Sequence, residues 1–140
     1  MRIFVLAFLL VTPLLLTGQE MKFKNYTAKK VPDKKMIIDG KFEEPDWEAS
    51  NWENDFTQYE PLEGRPPSQQ TRFSVLYDED NLYVAIKSLD SSPDSIAQRL
   101  TRRDEMDGDM AGIMLDTYHD HRTMFGFLVS AAGVKNDMIW

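Results

Sequence analysis

The sequence predicts an all-β fold, an antiparallel β-sandwich with one or two short helices, and three observations carry that expectation. Residues 71–90 read as a β-hairpin, because two β-rich runs, 72–77 and 82–87, flank the four turn-forming residues Asp78, Glu79, Asp80 and Asn81. Phe73, Val75 and Tyr77 alternate along the first run, and Leu82, Val84 and Ile86 along the second, so each strand offers one apolar side to a core. Residues 110–116, 123–130 and a run starting near Val134 repeat the pattern as a meander. A single hairpin cannot bury its apolar face alone, so a second layer is required.

Taken in order, the chain opens on a secretory signal peptide, residues 1–18. Arg2 gives a short positive start, 3–16 is nearly all apolar, and Thr17, Gly18 and Gln19 bring small and polar residues where a signal peptidase would cut. The apolar run is short for a membrane span. With no cysteine, the lipoprotein route is closed and export brings no disulfides. Residues 19–35 read as a basic linker or arm, rich in Lys and containing Pro32. From 36 to 39 a short apolar strand is expected, closed by Asp39-Gly40. A one- or two-turn helix follows with Pro45 at its first position, where the missing N–H costs no hydrogen bond. Trp47 is expected as a core plug beneath the sheet.

Residues 51–70 are polar and punctuated by Pro61, Gly64, Pro66 and Pro67, which predicts a surface loop. Its aromatic residues Trp52, Phe56 and Tyr59 either pin the loop to the body or form a platform on which sugar rings stack. After the hairpin, Ser92 as N-cap, Pro93 at N1 and Asp94 in the first turn predict a helix that places Ile96 and Leu100 on one face. The last strand ends on Met138, Ile139 and Trp140 without a turn signal, so the module spanning 36–140 is expected to be incomplete.

The 140 residues allow one domain, with a formal net charge of −7. Charge is unevenly placed, with seven Lys against three acids over 20–41, and eight basic residues against twenty acids beyond. An acidic body argues against nucleic acid as a partner. Calcium could find oxygens at Asp104, Glu105, Asp107 and Asp109, or at the hairpin turn, although neither cluster has EF-hand spacing and both also read as solvated turns. His119 and His121, on either side of Asp120, are the zinc candidates, and equally two exposed turn residues. There is no Gly-rich phosphate loop, no nucleophilic Cys and no Gly-x-Ser-x-Gly. With so many acids, a glycosidase carboxylate pair cannot be singled out, and catalysis by this stretch itself is not expected.

An ordered set of residues then carries a resemblance. Ile37-Ile38-Asp39-Gly40-Lys41-Phe42-Glu43-Glu44 with Trp47, Tyr77-Asp78-Glu79-Asp80-Asn81-Leu82-Tyr83-Val84, Asp90, Arg103-Asp104, Asp109, Leu115-Asp116, Phe127, and Gly133 with Asp137 resemble carbohydrate-binding module family 9 from about Met36 to the last residue. Residues 116–123 and 132–137, with Arg103-Asp104, look like the amino-terminal module of large exported Gram-negative proteins, which precedes a region thought to form an outer-membrane β-barrel.

The resemblance implies a β-sandwich of jelly-roll or immunoglobulin-like type and an envelope location: periplasm, outer membrane or outside the cell. It implies a noncatalytic module contacting a polysaccharide or oligosaccharide, and it is compatible with attachment to a carbohydrate-degrading enzyme acting on O-glycosyl compounds. The candidate sugar contacts are Trp52, Tyr59, Arg103 and Asp109. Calcium is the cofactor it brings, with Asp104, Asp107 and Asp109 as candidate ligands. Four positions depart from the sugar-binding pattern: Met106 stands where a clamp Trp is found, Gly112 replaces an acid, and Leu128 and Ser130 replace Arg and Asn. The alternative is a structural or docking domain in front of a barrel, in which Arg103-Asp104 is an internal ion pair.

Overall fold

The computed structural model describes residues 24–32 and 36–140. The expected signal peptide, and 19–23 and 33–35 of the basic arm, lie outside the described residues. The fold class is all-β, with six strands in two three-stranded sheets and almost no helix among the described residues.

The hairpin forms as the alternation demands. Strands β2 (Thr71–Tyr77) and β3 (Leu82–Ser88) pair antiparallel from Thr71 opposite Ser88 to Tyr77 opposite Leu82. The four residues between them close on Asp78, whose N–H donates to the Asn81 carbonyl at 3.0 Å. Ahead of the hairpin, β1 (Lys29–Lys30) lies parallel to β2 along Leu76 and Tyr77.

The packed core sits on the face opposite the one that the apolar alternation singles out. Leu76, Tyr83 and Ala85 are buried with Val31, Met36 and Trp47, and Trp52 packs against the cluster. Ser74 shares that face and is fully covered. It lies deep because its hydroxyl has partners, donating to Ser50 Oγ at 2.8 Å. Phe73, Val75, Val84 and Ile86 are half-buried on the other side. Both faces of the hairpin are therefore covered to some degree, as happens when a sheet lies between two layers.

Trp47 is the expected core plug, 5 % exposed, on the single-turn helix α1 (Pro45–Glu48) that begins with its proline. The strand expected at 36–39 is absent. Met36 is buried, but Ile37 and Ile38 point to solvent, and the sheet position falls instead to Lys29–Lys30. The described part of the arm is thus docked rather than a free linker. Lys24 pairs with Asp55 at 3.1 Å, Lys30 pairs with Glu79, and the Tyr26 hydroxyl donates to the Asn51 carbonyl at 2.6 Å. A basic arm lying on an acidic body is the structural consequence of the uneven charge.

The helix expected after the hairpin is one 3₁₀ turn, Pro93–Ser95, and Ile96 is already extended. Leu100 is exposed, so no shared apolar face with Ile96 builds up. The second sheet is the expected meander: β4 (Met110–Leu115), β5 (Phe125–Ser130) and β6 (Lys135–Ile139), in that order. Gly112 lets β5 come close, because a Cβ there would stand 2.4 Å from the Phe127 carbonyl oxygen and 2.7 Å from Leu128 Cγ.

Leu82, Val84 and Ile86 of the first sheet, with Ala111, Ile113, Leu115, Phe127 and Val129 of the second, line one open apolar groove of about 630 Å³. The interdigitated interior of a closed sandwich is not seen along this groove among the described residues.

Candidate functional site

Three aromatic rings converge beneath the first sheet. Phe42 leads into α1, Trp47 is on it and Trp52 follows it, and the ring centroids are 6.2 Å apart for Phe42 and Trp47, 5.5 Å for Phe42 and Trp52, and 6.3 Å for the two indoles. Trp52 is fixed from its edge, since its Nε1 donates to the Trp47 carbonyl at 2.8 Å. These rings floor a pocket of about 350 Å³. Its rim is charged on two sides, with Glu43, Glu44 and Glu48 from the α1 region and Arg72 and Lys87 from β2 and β3. Strand periodicity explains the cationic side, because Arg72 and Lys87 are direct partners in the ladder and fall on the face that also carries Leu76, Tyr83 and Ala85.

The carboxylate side is partly committed. Glu43 lies 3.9 Å from Lys41, and Glu44 accepts the Ile37 N–H at 3.3 Å through Oε1. The second oxygen, Glu44 Oε2, is buried without a protein partner. An aromatic floor, carboxylate acceptors and cationic donors around a small concavity can stack a flat ring and hydrogen-bond its polar substituents.

Trp52 is the member of the sequence-chosen set that lines this pocket. Tyr59 is 81 % exposed on its loop. Arg103 lies elsewhere on the surface, hydrogen-bonded to Asp137 and 3.5 Å from Asp104, and these two carboxylates hold its guanidinium more firmly charged, Asp137 foremost. The Arg103-Asp104 pair is accordingly exposed rather than internal, and it ties residues 103–104 to β6. Asp109 lines a separate cleft with Gln69 and Asp90. Its carboxylate accepts the Ala97 N–H at 2.8 Å and its own N–H returns to the Ala97 carbonyl at 3.2 Å, so it staples two loops together. Gly108 permits that approach, because a Cβ would meet the Ala97 oxygen at 2.3 Å.

The candidate calcium ligands do not assemble. Asp104 accepts the Asp137 N–H, Asp107 pairs with Arg99 at 3.2 Å, and Asp109 holds Ala97. Among the described residues, no group of three or more His, Cys, Asp or Glu side chains is placed to hold a metal ion. His119 and His121 stand 4.9 Å apart between ring centroids in the β4–β5 turn. Next to them the Asp120 carboxyl is held below its ordinary range by the N–H groups of Thr123 and Arg122.

Sequence reading missed Phe42, Glu44, Arg72 and Lys87 as pocket residues. The period of two from Arg72 through Ser74 to Leu76 carried the signal for the cationic side, but only once that face was known to be the packed one. No helix among the described residues is long and apolar enough to cross a membrane. Comparison of the chain with protein-family models, with curated proteins and with solved structures finds no match.

Proposed function

We propose that this chain is an exported, noncatalytic carbohydrate-binding module whose ligand seat is the aromatic pocket of Phe42, Trp47 and Trp52. The observation that carries the reading is the three rings meeting beneath a rim of carboxylates and cations. A sugar ring presents a C–H face that packs on an aromatic ring, and its hydroxyls donate to carboxylates and accept from Arg and Lys. The volume falls within the range of small-molecule sites. The family 9 resemblance from Met36 onward supports the same reading from the sequence side, with the seat moved away from the clamp position that Met106 occupies.

A glycan array probed with the exported chain tests it. Saturable binding to a glycan class, lost on Phe42→Ser with the fold retained, is the expected result. A folded chain that captures no glycan would overturn it. A second reading, a docking domain in front of an outer-membrane barrel, is favoured by the open apolar groove between Leu82, Val84, Ile86 and β4–β5. Under that reading the natural protein fractionates with the outer membrane, and Phe42→Ser, which also alters the groove, weakens that association rather than glycan capture.

A further inference from the structure

We infer that the pocket selects an acidic saccharide, one whose ring carries a carboxylate, as a uronate does; the inference rests on the carbohydrate reading above. Arg72 and Lys87 are directly opposed across the β2–β3 ladder. Like charges in that relation repel. Some cations on this surface have carboxylate partners, Lys24 with Asp55, Lys30 with Glu79 and Arg99 with Asp107, while others stand singly; what sets Arg72 and Lys87 apart is that two cations are opposed at the rim of one cavity. Among the described residues, neither Arg72 nor Lys87 is in an ion pair, although Glu43, Glu44 and Glu48 border the same cavity. The cavity therefore separates a carboxylate side from a cationic side.

The two sides are not equally available. Glu43 is near Lys41 and Glu44 accepts a backbone N–H, whereas the opposed cations are in direct ion contact with no carboxylate among the described residues. A neutral sugar can use the rings, the carboxylates and the cationic donors, but it brings no charge to offset that repulsion. A uronate adds an anion that a guanidinium can hold through two parallel N–H bonds while its hydroxyls face the glutamates. Ligands that are anionic throughout, such as inorganic phosphate, are disfavoured because the glutamates repel them.

The test is calorimetric titration of the full chain with trigalacturonate and with the neutral galactose trimer, at low and at high salt. The uronate should bind about tenfold tighter at low salt, with the margin shrinking as salt screens the exposed cations. Lys87→Gln and Arg72→Gln should each narrow the margin, weakening the uronate by a larger factor than the neutral trimer, because only the uronate loses a charge-assisted bond. Equal affinity for the two trimers would overturn the inference and leave the carbohydrate reading standing. Failure of both trimers and of every glycan on the array, with a folded chain, would overturn both. A margin that survives in the folded Arg72→Gln/Lys87→Gln double variant would overturn the inference alone.

Discussion

Asp78 Oδ2 accepts a hydrogen bond from the Tyr83 hydroxyl at 2.7 Å, joining the first residue of the hairpin turn to a buried ring of β3. The other oxygen, Oδ1, accepts the Asp80 N–H at 2.9 Å, the Asn81 N–H at 2.7 Å and the Asn81 side-chain amide at 3.1 Å. One carboxylate thus organises the turn from inside. The ring beneath it is anchored in the same core as Trp47 and Leu76. Turn chemistry and core packing are coupled through a single side chain.

That coupling makes stability depend on pH in acid. The Tyr83 hydroxyl, foremost, and the N–H groups of Asp80 and Asn81 hold the Asp78 carboxyl below its ordinary value near 3.8. A carboxyl depressed in the folded state stabilises at pH above its unfolded value, and the contribution disappears as pH falls through the folded value. Urea midpoints measured from pH 7 down to pH 2.5 should fall across that window in the native chain. Tyr83→Phe should lower the midpoint at pH 7 and flatten the acid limb, since the main cause of the depression is removed. An unchanged acid limb in the variant would sink the assignment. The same bond raises the Tyr83 phenol above its ordinary value of 10.0. Its stabilisation is whole below that pH and is lost as pH rises through the raised value.

The indoles should behave as core. Trp47→Ala should cost about 3 to 5 kcal/mol, as truncation of a buried aromatic does. Trp52 touches both Trp47 and Phe42 and donates to a core carbonyl, so Trp52→Ala should lower the unfolding midpoint as well as any glycan affinity. Trp52→Phe is the finer probe. It keeps a ring over the pocket and removes the Nε1 bond, for a cost of about 0.5 to 1.5 kcal/mol in chemical denaturation. A Trp52→Ala midpoint equal to wild type would place that ring outside the core.

Much of this fold is legible in the residues. The hairpin, its four-residue turn, the meander and the proline-started turn around Trp47 all follow from short-range rules of alternation and turn chemistry. Which hairpin face is packed did not follow. Phe73, Val75 and Ile86 look like the core set, yet Ser74, Tyr83 and Ala85 are the buried ones, because burial is decided by what the rest of the chain lays on the sheet. Val31 and Trp47 do so from outside the hairpin. The site was legible only in Trp52. Arg72 and Lys87 drew no notice as sequence, and it is the ladder that places them side by side at the rim of the aromatic pocket.

Gly112 illustrates how packing decides a position that motif comparison treats as a ligand site. An acid there is incompatible with this backbone, since even a Cβ would stand 2.4 Å from the Phe127 carbonyl oxygen. Gly112→Ala should destabilise by about 1 to 3 kcal/mol, the usual penalty of overpacking, and Gly112→Asp by more. Thermal unfolding of the two variants checks this. A Gly112→Asp chain as stable as wild type would show instead that β4 and β5 separate readily enough to admit a side chain.

The apolar groove between the sheets makes the last prediction. Phe127 and Val129 are 51 % and 48 % exposed, and they face the same space as Leu82, Val84 and Ile86. A contiguous apolar surface of this kind captures amphiphilic dyes. The chain should therefore enhance the fluorescence of an anilinonaphthalene sulfonate probe under conditions where near-ultraviolet dichroism reports a folded core. Phe127→Ser should cut that signal while moving the urea midpoint little, within about 0.5 kcal/mol for a half-exposed side chain away from the Trp47 cluster. Dye signal and midpoint falling together would mean instead that Phe127 holds the sheets in place, and that the groove is an interior rather than a surface.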